Sequence, residues 1–470
     1  MKDIIRVPTE YTTASIKRAY QQFLERRSRL LELDMAYSTG YVSRMTDKEE
    51  ETTTPYIVNN CKVIADTKSS YIAGIPPTYS ASDEDPKGQE IVELYRKQVK
   101  PQLDQEITNV CSRFGRGFEV CFNEQTVTDG MVAITPKSVA VSPLECFVAY
   151  DFSLDPDSVF GAIRYVELDD QQVEHVSLDI YDRYEVVRFA LTGQTDTGSW
   201  SEVPGTRRPH GFDRVPIIEF RNNPDCSGDF TAILPLQRAI NEILSDRVRD
   251  KNKFSSSILI SKGMAFGDTD DEVSQSMGRI KGEEYAAVPK DADLYYLTKT
   301  FDEASVQILV DSIDSQMHKV SGIPDMTDEN FAANASGVAI RYKLLALNNL
   351  AQSFVSQFER GFMRRCKLYS YALFGRDGAD VPSMRVTFRF NLPNDSAYDA
   401  QTMEIYMRNS ALSKQTMMEN CPYIDDVAAE QERIATEADE ADARMERAET
   451  DYLQLEGQRF LDGEPDMPEE

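Results

Sequence analysis

The feature that most constrains the fold is a helical pattern that runs from Val338 to Phe374 without a proline. Apolar side chains recur along one side of it: Ile340, Leu344, Leu347, Ala351, Phe354, Phe358, Phe362 and Tyr369. Helices in globular proteins average three or four turns, whereas this one would be about 55 Å long. Because so long a helix needs packing along its whole length, the sequence predicts a large protein built around it.

A second amphipathic helix, predicted over 302–321, comes just before and stops at the breaker Gly322-Ile323-Pro324. The two helices are joined by a polar loop, 323–336, which is longer than the roughly 2–8 residues of most helix–helix connections. The loop is acidic at Asp325, Asp328 and Glu329 and contains no lysine or arginine. Its length and composition indicate a functional segment.

The remaining segments predict an α+β fold that is mostly helical. Helical spacing predicts helices over 13–35, about 55–73, 86–113 with a break near Pro101, 233–254, 396–412 and 414–420. Alternating or β-branched segments predict strands at 118–122, 131–135, 139–141, 145–150, 162–168, 173–181, 184–190, 215–220 and 384–391. A small α/β piece is predicted at 256–300. The β-rich region thus lies between two groups of helices.

Net charge and cysteine usage exclude several classes of protein. The chain carries 51 basic and 79 acidic residues, for a net charge of −28, which argues against gripping nucleic acid over the whole surface. Residues 425–470 alone carry 17 acidic and 4 basic side chains, as expected of a solvated tail. The seven cysteines form no CxxC pair, so neither disulfides nor a zinc site are expected. No apolar window is long enough to span a membrane, and no export signal is expected.

Motifs of enzyme chemistry are missing as well. The sequence has no phosphate-binding P-loop, no H-E-x-x-H and no G-x-S-x-G, so no enzymatic activity and no cofactor are expected. His318 is expected to have a solvent or interface role. Two groups of aspartates resemble weak ion sites: Asp151, Asp155, Asp157 and Asp268, Asp270, Asp271. Solvated turns explain the first group more simply, so no metal site is predicted.

The order of these segments resembles the portal protein, or head–tail connector, of tailed bacteriophages of the long-tailed type. Three segments carry the resemblance, which covers about residues 15–420. They are 57–77, with its helix and Gly74-Ile75-Pro76; 215–224, which resembles the strand before the first stem helix; and 312–342, which resembles the second stem helix, the tunnel loop and the start of the long helix.

The resemblance implies a ring of twelve copies around a central channel and a division into named regions. These are a wing (1–232 and 337–395), stem helices (233–255 and 301–322), a clip (256–300), a tunnel loop (323–336) and a helical crown with the acidic tail (396–470). The implied function is the passage of double-stranded DNA through one capsid vertex during packaging and ejection. The implied location is the virion, after assembly in the host cytoplasm.

The tunnel loop is then the expected DNA-facing site. Its candidate channel residues are Pro324, Asp325, Met326, Asp328, Glu329, Asn330, Asn334 and Ser336. A basic loop would hold phosphates, whereas this one is expected to let the duplex slide. The implied partners are further copies of the chain, DNA, the terminase large subunit, a head-completion or adaptor protein, and the major capsid and scaffolding proteins, with no membrane.

Two other interpretations stay open at this point. One is another phage structural protein, such as a scaffold or tail component. The other is a metal-dependent nucleic-acid-processing enzyme that uses the aspartate groups named above. A ring with a hole wide enough for duplex DNA would separate the portal from both.

Overall fold

A computed structural model describes most of the chain up to residue 391 and scattered residues beyond it. The described residues are 4–8, 12–42, 56–82, 84–98, 100–128, 131–168, 174–193, 198–254, 258–262, 269–272, 274, 293–297, 303–326, 340, 342–375, 383–391, 404–406, 408, 413–414, 417–418, 424, 427, 430–438, 441 and 443–445. The fold is mixed helix and strand, as the α+β prediction required.

Four helices open the chain: α1 (Thr13–Thr39), α2 (Asn60–Ala73), α3 (Pro86–Lys97) and α4 (Lys100–Phe114). The predicted helices are confirmed, with corrected ends. Helix α2 starts at Asn60 rather than near 55, because the Asn59 side chain accepts from the Lys62 amide as an N-cap. The break between α3 and α4 precedes Pro101, which lies in the first turn of α4, where its missing N–H costs no hydrogen bond.

Two sheets follow. Their strands are β3 (Arg116–Thr128), β4 (Met131–Val141), β5 (Cys146–Tyr150), β6 (Ser158–Leu168), β7 (Glu174–Tyr181), β8 (Glu185–Thr192), β9 (Ser199–Glu202), β10 (Arg208–Pro209) and β11 (Ile217–Arg221), with the short β1 (Ile5–Arg6) earlier in the chain. The short β2 (Thr78–Ala81) belongs to neither of these sheets. One sheet has the order β1-β5-β6-β7-β8-β10 with β9 also on β8, and the other is β11-β3-β4. Helix α1 covers the larger sheet, with Tyr20 edge-on to Trp200 and Phe23 stacked on Phe147.

The sequence predicted two strands, 131–135 and 139–141, where the structure has the single strand β4. Each residue of β4 pairs with one of β3, including Pro136 opposite Asn123. In the described sheet β4 pairs only with β3. A proline is tolerated there because an edge strand need not donate from every amide.

Helices return with α5 (Leu234–Phe254), α6 (Glu303–Ser321) and α7 (Leu345–Phe374). Between α5 and α6 lie the paired strands β12 (Ile258–Lys262) and β13 (Asp293–Leu297), while β14 (Met384–Thr387) pairs with β2. Strand β14 is shorter than the predicted 384–391. The rest of the predicted α/β piece at 256–300 and most of the helices after 396 lie outside the described residues. Residues 393–470 form a separate compact unit, in which 430–438 is helical.

The long helix is interrupted near its predicted start. Its main part, α7, begins at Leu345, and its 30 residues span about 45 Å; the predicted start at Val338 lies outside the described residues. The buried Leu344 forms a turn between the helical residues Tyr342 and Lys343 and the start of α7. Hydrogen bonds from the Leu344 amide to Ile340 and from the Asn348 amide to Leu344 continue across this turn. The apolar stripe therefore stays in phase, which is why periodicity alone predicted one continuous helix.

A buried ion cluster fastens α7 to the helices and sheet around it. The Arg365 guanidinium, fully buried, lies 2.6 Å from Asp104 Oδ1 on α4 and 2.6 Å from Glu119 Oε2 on β3. Tyr79 donates to Asp104 at 2.6 Å. Burial raises the pKa of the Asp104 carboxyl, although Arg365 opposes that rise. The same helix carries Phe354, Phe358 and Phe362 into the largest apolar core.

Candidate functional site at the end of helix α6

Helix α5 is tied to the N-terminal helices by polar side chains spaced four residues apart. The buried Gln237 donates to the Val58 carbonyl at 2.7 Å, and Asn241 donates to the Gly40 carbonyl at 2.9 Å. One turn further, Ser245 accepts from the Tyr56 amide at 2.9 Å. These contacts satisfy loop backbone groups and fix α5 in place, in addition to the packing of Ile240 in the core. The sequence predicted the helix over 233–254 but none of these contacts.

Charged contacts join the far end of α5 to the first turn of α6. Lys251 Nζ lies 2.9 Å from Glu303 Oε1, and the Arg247 guanidinium also binds Glu303 and donates to Gln307 at 3.0 Å. Hydrogen bonds from Lys251 and then Arg247 lower the pKa of the Glu303 carboxyl. Since these groups are partly exposed, the contacts set the pairing of the helices more than their stability.

Among the residues that the structure describes, the apolar stripe of α6 is only partly covered. Met317 is fully buried, whereas Leu309 and Val320 on the same stripe are 49% and 50% exposed. Val310 and Ile313 pack at the edge of the core. A half-exposed aliphatic side chain would gain free energy if another surface covered it and removed its apolar area from water. Helix α6 therefore presents an apolar side that the described residues of the same chain leave open.

The loop root, residues 321–326, is fixed to the last turn of α6. Gly322 has φ of 70°, a left-handed value that favours glycine, and its amide donates to the His318 carbonyl at 3.0 Å. His318 Nδ1 lies 2.9 Å from the Ile323 carbonyl oxygen, and Ile323 is 1% exposed. His318 was expected to have a solvent or interface role. Its ring also holds the loop root through the hydrogen bond to Ile323.

Three of the eight predicted channel residues lie in this root. Pro324 and Asp325 are half-buried, and Met326 is 43% exposed. The other five lie outside the described residues: Asp328, Glu329, Asn330, Asn334 and Ser336. Asp325 faces a recess of about 500 Å³, whose lining includes Asp314, His318, Lys319 and Lys343. Although the loop itself has no basic residue, two lysines stand beside its root.

The recess brings together residues that sequence reasoning kept apart. Among the residues that the structure describes, Asp314, His318 and Asp325 are the one group of three potential metal ligands, with their ligand atoms within 4.8 Å of one another. The signal in the sequence was the i,i+4 spacing of Asp314 and His318, followed by a glycine that turns the chain back toward them. Asp151, by contrast, accepts from Ser153 and from the Asp157 amide within its own loop, as expected of a turn.

Comparison with known families identifies the chain. The family model described as "Phage portal protein, SPP1 Gp6-like" matches residues 16–444. The chain belongs to this family of phage portal proteins. No curated protein matches the chain. The match spans the region of the predicted resemblance, including α5, α6, the loop root and α7.

Membership favours the portal interpretation over a scaffold or tail component and over a nucleic-acid-processing enzyme. Portal proteins are structural components of the virion at the head–tail connection, not enzymes. Within the described part of this portal protein, no helix is long and apolar enough to cross a membrane. The loop root therefore has to be understood as part of a structural protein.

Proposed function

We propose that twelve copies of this portal protein form a ring around a channel through which double-stranded DNA is packaged and later ejected. In this assembly α5 and α6 are the stem, the loop 323–336 lines the channel, and α7 anchors both to the wing (1–232 and 337–395). Residues 256–300 are the clip, which docks the terminase large subunit and later the head-completion protein. Residues 396–470 are the crown inside the capsid, and the major capsid and scaffolding proteins surround the ring.

The observation that carries this proposal is the partly open apolar side of α6. A ring places the same helix of every copy beside its neighbour, so Leu309 and Val320 would be buried between copies. An aliphatic side chain gains about 1.5–3 kcal/mol on full burial, and a closed ring repeats that gain at each interface.

The chemistry of the loop favours passage of DNA over retention. Asp325, Asp328 and Glu329 repel phosphates, and the loop sequence has no cation that would release counterions and bind the backbone tightly. Asn330, Asn334 and Ser336 offer only short-lived hydrogen bonds to passing phosphates. The energy for translocation comes from a separate ATPase, because this sequence contains no P-loop.

Assembly through α6 is tested by mass photometry of the purified protein. Leu309→Asp should shift the population from rings toward single chains, because it places a charge in an apolar interface. Ala304→Asp adds the same charge at another exposed position of α6 and should leave rings intact. Equal assembly of the wild type and Leu309→Asp would remove this face from the interface.

A further inference from the structure

The recess at the loop root has the side chains of a metal site. Asp314 and His318 lie one turn apart on α6, and Asp325 returns to them from the loop, so that one ligand atom of each lies within 4.8 Å of the others. His318 Nε2 is 4.0 Å from Asp314 Oδ2. A zinc ion with ligands at about 2.1 Å keeps its donor atoms about 3.4 Å apart. Side-chain adjustments of about 1 Å would therefore close the site.

Two hydrogen bonds from outside the group orient its ligand atoms. A carbonyl oxygen can only accept, so the bond from His318 Nδ1 to Ile323 places the proton on Nδ1. In the neutral ring the lone pair is then on Nε2, the atom that faces Asp314. Asn60 Nδ2 donates to Asp314 Oδ1 at 3.2 Å, leaving Oδ2 toward the histidine. Metal-bound histidines and carboxylates are typically held by such outer contacts.

We propose that Asp314, His318 and Asp325 bind one divalent transition-metal ion, of which Zn²⁺ is the best match. One imidazole nitrogen and two carboxylates favour zinc over calcium or magnesium, which prefer oxygen ligands alone. The half-buried recess leaves further coordination positions for water. The ion neutralises the charge of the two carboxylates. Lys319 and Lys343, which line the same recess, are the alternative counter-charges.

The position of the site predicts what the ion does. Two ligands belong to the last turns of α6 and the third to the loop root, so the ion fixes the point from which the loop extends. If the loop lines the channel as proposed above, the ion limits how far its first residues move as DNA passes. Binding itself depends on neither the ring nor DNA, so its failure leaves the channel function standing.

Isothermal titration of full-length, tag-free protein with Zn²⁺, after treatment with a chelator, tests the site. We expect one tight Zn²⁺ per chain and an affinity at least tenfold lower in His318→Ala and Asp325→Asn. The matched control is Asp311→Asn, which removes a carboxylate from the same recess without removing a ligand and should bind Zn²⁺ like the wild type.

Two results would overturn the proposal. One is the absence of a tight site in the wild-type protein, which would leave the lysines as the counter-charges of the recess. The other is unchanged Zn²⁺ affinity in Asp325→Asn, which would assign the bound ion to another part of the chain, such as the acidic tail. Asp325 lies in a loop, so its amide variant keeps the test decisive even if His318→Ala fails to fold.

Discussion

His318 Nδ1 donates to the carbonyl oxygen of Ile323 across 2.9 Å, so the helix that leads to the loop also holds the first residues of the loop. This contact separates the anchored root at 321–326 from the part of the loop that follows it. The acidic residues of the loop fall on both sides of that division, with Asp325 in the root and Asp328 beyond it.

The first prediction concerns the charge of the loop. Replacing Asp325 and Asp328 together by lysine should reduce the number of DNA-filled heads while rings still form, because the new cations attract phosphates and slow sliding. Counting filled and empty heads by electron microscopy, beside rings of the purified variant, measures both effects. The double asparagine variant removes the same negative charge without adding cations and should package better than the lysine variant. Normal packaging by the lysine variant would show that the charge of the loop does not affect the passage of DNA.

The second prediction concerns the buried arginine of α7. Arg365→Met should lower the free energy of unfolding by about 3–5 kcal/mol, because it leaves Asp104 and Glu119 buried without their cation. The neighbouring Arg364 pairs at 3.2 Å with Asp157, whose side chain is 85% exposed. Arg364→Ala should therefore cost less than about 1 kcal/mol. Denaturant unfolding of the two variants makes the comparison, and similar losses would contradict the role of the cluster.

The third prediction concerns a glycine on the packed side of α7. A Cβ atom at Gly361 would lie 2.5 Å from Phe220 Cε1, so Gly361→Ala should destabilise by about 1–3 kcal/mol although alanine favours helix. Phe220→Leu makes room, so in a double-mutant cycle the cost of Gly361→Ala should shrink in that background. A Gly361→Ala protein that is more stable than the wild type would show that the contact relaxes freely.

The fourth prediction concerns pH. Burial by itself raises the pKa of Glu219, but the charges of Arg116, Arg221 and Arg26 outweigh it and lower the pKa from 4.5 to about 2. Because the pKa of Glu219 is lower in the folded than in the unfolded chain, its ionised carboxylate stabilises the fold at pH values above about 4.5. This stabilisation is lost as the pH falls from about 4.5 toward 2. The contribution is on the order of 3 kcal/mol.

Unfolding measured across that pH window tests the assignment. Glu219→Gln should be less stable than the wild type at neutral pH and should lose less stability on acidification, because its side chain does not titrate. Parallel pH profiles for the two proteins would mean that other carboxylates cause the acid sensitivity.

The sequence predicted the helices and strands well wherever periodicity and local stop signals agree. The predicted ends of α6 at Ser321 and of α5 at Phe254 match the structure. For α6 the reason is local, because the glycine at 322 turns the chain directly after the helix. The turn at Leu344 escaped prediction because the stripe stays in phase across it.

Contacts between distant segments were not predictable. Arg365 and Asp104 are 261 residues apart, and nothing local in either segment indicates a buried partner. The convergence of Asp314, His318 and Asp325 depends on the left-handed turn at Gly322. The spacing of the first two residues and the glycine can be seen in the sequence, but the direction in which the chain turns cannot. Of the candidate channel residues, only Pro324, Asp325 and Met326 lie where the structure describes them, and the role of all eight stays a prediction.

The fifth prediction concerns the acidic tail, which we propose lies in the crown. Deleting 425–470 should alter genome packaging or retention more than ring assembly. The reason is that the tail acts on packaged DNA by long-range electrostatic repulsion and does not hold the subunits together. Comparing DNA content per head with ring yield separates the two. Loss of rings would make the tail an assembly element.

The most direct test of the whole account is an electron-microscopy reconstruction of the purified protein. We predict a closed ring with a central hole wide enough for duplex DNA, with α6 at the subunit interfaces and the loop 323–336 projecting into the channel. A monomer, a filament, or a ring that carries this loop on its outer surface would contradict it.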